Sequence, residues 1–165
     1  MKRMLIFLLM LLTLSLLAAC GGGGGGGATA PVVEPTQAFV KISTSGTLPS
    51  GTLVGGVDVT VTLPSGVTVA STTPPQTDAG VVAGSGLAGS SASAMGTYGS
   101  SENAVRVLLA DPDGMAAGEF ATVTCAIASG SSPSASDFTV SSATVKDLNG
   151  AAISGMTATL SVTMQ

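Results

Sequence analysis

The chain has no histidine and no tryptophan among its 165 residues, only two cysteines, and charged side chains at 8% of positions. Each shortage excludes something. Without histidine, the usual proton shuttle of acid–base catalysis is missing, and a serine nucleophile would lack its customary base. With cysteine only at 20 and 125, a framework of disulfides is excluded, and the fold must hold by packing. Five basic residues against nine acidic cannot neutralise a phosphate backbone, so nucleic acid is excluded as a partner. Aromatic residues make up 3% of the chain, a thin platform for stacking on sugars, which leaves polysaccharide as the lesser alternative.

What is there begins with a basic start, Lys2-Arg3, and an apolar run over residues 4–17 broken only by Thr13 and Ser15. Ala18 and Ala19 follow, then Cys20 and the glycines at 21–27. A basic n-region, a short apolar h-region and a small-residue exit make an export signal. The run is shorter than the roughly 20 residues a spanning helix needs.

Leu17-Ala18-Ala19-Cys20 resembles the lipobox of bacterial lipoproteins. The resemblance implies that residues 1–19 are removed and that Cys20 carries the lipid as the mature N-terminus. Several acyl chains on one residue suffice for stable membrane anchoring. Gly21 is not the aspartate that resembles an inner-membrane retention signal, so a Gram-negative source implies the outer membrane. Removal of Lys2 and Arg3 leaves three basic residues against nine acidic, a net charge of −6, which also disfavours adhesion to anionic head groups.

Residues 20–36 read as the lipidated cysteine and a tether, flexible through its glycines and stiffer near Pro31 and Pro35. The glycine run lacks the preceding strand, following helix and lysine of a phosphate-binding loop. Residues 37–165 read as one all-β domain. Val57, Val59, Val61 and Leu63 alternate with Asp58, Thr60 and Thr62, and Pro64-Ser65-Gly66 is a turn. Residues 104–110 and 119–128 read as strands, with Cys125 inward beside Val123 and Ile127; residues 138–140 and 144–146 read as two short ones. Met156 to Met164 alternates apolar with Thr and Ser to the end. Residues 79–101, rich in Gly, Ser and Ala, read as a long surface loop holding one short strand at 81–83, and Met115-Ala116-Ala117 as one helical turn.

Three stretches carry a second resemblance. They are the run from Gly56 to Val69 through its Pro-Ser-Gly-Val turn, Val105 to Ala110 with Gly118-Glu119-Phe120 beyond it, and Ser136-Asp137-Phe138 with the Asp147 to Ile153 turn. Together they resemble the cohesin family and its relatives among carbohydrate-binding modules. The resemblance implies a jelly-roll β-sandwich of about nine strands, in which one sheet face binds a module of another protein.

Candidate chemistry is sparse. Cys125 reads as a structural core thiol, with a reactive thiol as the alternative. Asp111-Pro112-Asp113-Gly114 and Asp147-Leu148-Asn149-Gly150 read as turns, with calcium loops as the alternative. Phe39, Phe120 and Phe138 read as core, and Tyr98 as an exposed ring on the loop. Arg106, mid-strand, either presents its charge to a partner or pairs with an acid. No catalytic residue, resident metal or cofactor is expected, and the ligand-binding residues are unknown at this level. The sequence predicts a lipid-anchored, non-enzymatic envelope protein that binds another protein. A carbohydrate-binding module and a structural envelope component are the alternatives.

Overall fold

A computed structural model describes residues 34–87 and 91–165. The predicted signal segment 1–19, Cys20 and all of the tether but its last three residues lie outside the described residues. Val33–Gln165 forms one compact unit.

Among the described residues nine strands build it: β1 (Gln37–Ser45), β2 (Val54–Thr62), β3 (Val67–Thr68), β4 (Val82–Gly84), β5 (Ser93–Gly99), β6 (Ala104–Met115), β7 (Glu119–Ile127), β8 (Thr139–Asp147) and β9 (Thr157–Met164). They form two antiparallel sheets. One runs β3-β7-β1-β9, with β4 also on β7; the other runs β5-β6-β2-β8. This is a jelly-roll β-sandwich, as the cohesin resemblance implies.

The period-two pattern explains why these strands pack as they do. Val57, Val59 and Val61 of β2 point inward with Val105, Val107 and Leu109 of β6, and meet Val40, Ile42, Phe120, Val123 and Cys125 from the other sheet. All are less than a tenth exposed. β-branched side chains suit this half-buried pleat. Burying one valine or isoleucine contributes about 1.5–3 kcal/mol, and no disulfide among the described residues supplements that core.

The structure departs from the sequence reading in several places. Asp111–Gly114, read as a turn, lies inside β6. The stretch read as a surface loop contains β5, seven residues paired with β6. The two short strands at 138–140 and 144–146 are one strand, β8, joined across a register shift opposite Thr60 and Val61. Met115 ends β6 and no helical turn follows; the one short 3-10 turn among the described residues lies at Ala135–Asp137. Phe39 is half-buried on the outer face of β1, whereas Phe120 and Phe138 are core. Parity is the reason: with Val40 and Ile42 inward, residue 39 must point outward.

Candidate interaction face

The outer face of the four-stranded sheet is built by register. Met95 of β5 lies beside Leu108 of β6, Leu108 beside Asp58 of β2, and Asp58 beside Thr144 of β8. The next row reads Thr97, Arg106, Thr60 and Ser142. The face therefore grades from apolar at β5, through a charged centre, to hydroxyls at β8. Met95 is 58% exposed, the most exposed large apolar side chain among the described residues. Its strand also lines a groove of about 440 Å³, bounded opposite by Thr77, Asp78 and Val82.

Arg106 answers the question left open by the sequence: it pairs with an acid. Its Nε donates to Asp58 Oδ1 at 2.8 Å and its Nη2 to Asp58 Oδ2 at 2.5 Å, a bidentate fork reaching diagonally across two strands. The Arg106 hydrogen bonds, and behind them the charges of Arg106 and Lys146, hold the Asp58 carboxyl below its usual value of 3.8. A carboxylate depressed in the folded state stabilises the fold above its unfolded pKa and loses that contribution as pH falls through the lower folded value. Arg106→Ala is therefore expected to unfold earlier than the parent at neutral pH. The two denaturation midpoints should converge in titrations taken well below pH 3.8. The pair is about half exposed on the arginine side, so its contribution is screened and small; its value here is to fix two charges in one orientation.

Cys125 is 1% exposed in the core. Burial pushes its thiol up to about 12, so almost no thiolate exists at neutral pH and the structural reading is the one the geometry supports. The native chain is expected to leave Cys125 unlabelled by iodoacetamide at pH 8, and to label it promptly in denaturant. Labelling at equal rates in both would show that the core opens.

Asp147 serves a turn, whereas Asp111–Gly114, read as a turn from the sequence, lies within β6 where its pairing with β2 shifts register between Val54 and Gly56. Asp147 Oδ1 accepts the backbone N–H groups of Asn149 at 2.9 Å and Ala151 at 2.8 Å. Asp111 is inward and 1% exposed; its Oδ1 accepts the Asp113 N–H at 3.1 Å, while its Oδ2 has no partner among the described residues. Asp113 is held instead by the Ser91 hydroxyl at 2.5 Å. Among the described residues no three His, Cys, Asp or Glu side chains converge as metal ligands would. Tyr98 is half-buried, its hydroxyl donating to Asn103 Oδ1 at 2.8 Å, so it offers no free platform. Asn103 in turn donates to the Leu63 and Pro64 carbonyls, tying the β5–β6 turn to the end of β2.

No family model and no curated protein matches the sequence. Among solved structures, the chain matches a type II cohesin–X-dockerin complex from Acetivibrio cellulolyticus with a TM-score of 0.50. The sandwich is cohesin-like. Identity is 11%, and the match covers 77% of this chain and 87% of that one, so the likeness is one of fold. The residues of this face that sequence missed are Met95, hidden in a Gly/Ser/Ala-rich stretch, and Asp58, whose partner is 48 positions away.

Proposed function

We propose that this cohesin-like domain is a non-catalytic module that binds another protein through the outer face of its four-stranded sheet, and that a lipid on Cys20 holds it at the cell envelope. The observation that carries the reading is the face itself: an exposed methionine at one end and an oriented arginine–carboxylate pair at its centre, on an open sheet. Apolar anchors beside fixed charges are what protein interfaces use for affinity and register. The fold supports the same reading, since its structural neighbour was solved in a complex with an X-dockerin. The missing histidine and the buried thiol support a role without chemistry.

The test is capture from envelope extract by the full chain carrying Cys20→Ala, compared with the same chain also carrying Met95→Asp. A protein retained by the first and reduced about tenfold or more by the second is the expected result, since loss of an apolar anchor residue costs about 2 kcal/mol. Hits on a glycan array without a captured protein would shift the reading to a carbohydrate-binding module. For the anchor, labelled palmitate should enter the parent chain and not Cys20→Ala; unlabelled chain free in the medium would remove the anchor from the proposal.

A further inference from the structure

Every open sandwich has exposed strand edges, and proteins usually guard them with charge, proline, bulges or a covering segment. Three edges here are guarded. On β5, the segment at 73–77 adds its own hydrogen bonds, Tyr98 N–H to Pro75 O at 2.6 Å and Thr77 N–H to Gly96 O at 3.2 Å. On β8, residues 151–153 fold back to bond Val145 and Asp147, and Lys146 adds a charge. The edge beyond β7 carries only β3 and β4, of two and three residues.

β9 carries no charge, no proline and no bulge. It runs eight residues, Thr-Ala-Thr-Leu-Ser-Val-Thr-Met, with no glycine, and pairs with β1 without a register shift. Gln37 and Gln165 exchange both backbone bonds at 2.9 Å. That fixes Thr163, Ser161, Thr159 and Thr157 as the positions bonded to β1, and turns the N–H and C=O groups of Ala158, Leu160, Val162 and Met164 outward. No hydrogen bond from another described residue reaches those outward groups. The 3-10 turn at Ala135–Asp137 packs beside the strand, but its one charged group, Asp137, is spent on the Ser134 N–H at 2.7 Å.

We infer that β9 pairs with β9 of a second copy of this chain, antiparallel about a two-fold axis through Ser161. In that register Ala158 faces Met164 of the other copy and Leu160 faces Val162, so every outward backbone group on the edge finds a partner. The strand is matched to itself: hydroxyls meet hydroxyls on the outer face, apolar side chains meet apolar ones on the inner side, and no like charges oppose. Such cross-strand pairs are favourable, whereas directly opposed like charges are not. A foreign strand would gain nothing from this edge that a second copy does not, because it presents no charge to select one. The interface is isologous and closes at two copies. Pairing through one strand sits at the small end of interface sizes, so the dimer is reversible.

The experiment is sedimentation equilibrium of the full chain carrying Cys20→Ala, in mild detergent, with Ser161 as the probe. The parent is expected to show a concentration-dependent monomer–dimer equilibrium. Ser161→Cys should form a disulfide dimer on mild oxidation, and Thr159→Cys, which lies well away from its own copy across the axis, should not. Ser161→Lys should weaken the dimer about tenfold, and mixing it with Ser161→Glu should restore association. A parent that stays monomeric at the highest concentration, or a dimer indifferent to both charge variants, would overturn the inference. Thermal unfolding of each variant separates loss of pairing from loss of fold. Residue 161 lies on the sheet opposite the proposed partner face, so this result and the capture experiment fail independently.

Discussion

Phe120→Ala is expected to remove about 3–5 kcal/mol of stability, read as a lower denaturant midpoint with an unchanged slope. Phe120 is the largest fully buried side chain among the described residues and sits at 0% exposure. It enters the core from the start of β7, the strand that carries β1 on one side and both β3 and β4 on the other. Deleting the ring leaves a cavity in a core built largely of valine, whose β-branched side chains have little freedom to collapse into it. Domains of this size have roughly 5–15 kcal/mol in total, and no disulfide among the described residues would limit the damage. A change below about 1 kcal/mol would mean that the core around β7 repacks.

The second large effect is expected at Gly46, the residue that leaves β1. Its φ is +131°, and a Cβ there would lie 2.5 Å from the Gly155 carbonyl oxygen and 2.9 Å from Met156 Sδ. Gly46→Val combines a backbone conformation that β-branched residues avoid with a clash against backbone that cannot rotate away. Strain of this kind costs about 1–3 kcal/mol and overpacking about as much again. The neighbour displaced leads directly into β9, so the variant should also expose the β1–β9 amides to hydrogen exchange. Gly51→Val is the contrast: φ is +76°, but nothing lies within 4 Å of the added atom. Only the conformational cost should remain there.

Strands with one buried face were legible in the sequence because period two survives wherever a core must be separated from water. β2, β6, β7 and β9 all read in this way. β5 did not, because Ser-Ala-Met-Gly-Thr-Tyr-Gly has small residues where the pattern needs bulky ones, and its inward positions are only partly buried against the rest of the core. β8 was split because its middle, Ser141-Ser142-Ala143, bulges at an exposed edge, where polar residues cost nothing. Phe39 reads as core by its size, whereas its parity with Val40 and Ile42 sets it outward. The candidate face was less legible than the fold. Arg106 stood out as a rare charge within a strand, yet its alternatives could be separated only by the register that sets it diagonal to Asp58. Met95 gave no signal at all, since exposure is a property of the surface and not of the residue.

The hydrogen bonds from Thr36 and Gln37 to the Gln165 carbonyl have a mechanical meaning. The start of β1 and the end of β9 are neighbours, held in one antiparallel ladder. A load applied between those two points would open the ladder like a zip, one rung at a time, at low force. A load entering at residue 36 and leaving through a partner on the opposite sheet would instead have to slide whole strands past one another. The same body would then yield easily to one direction of pull and resist the other.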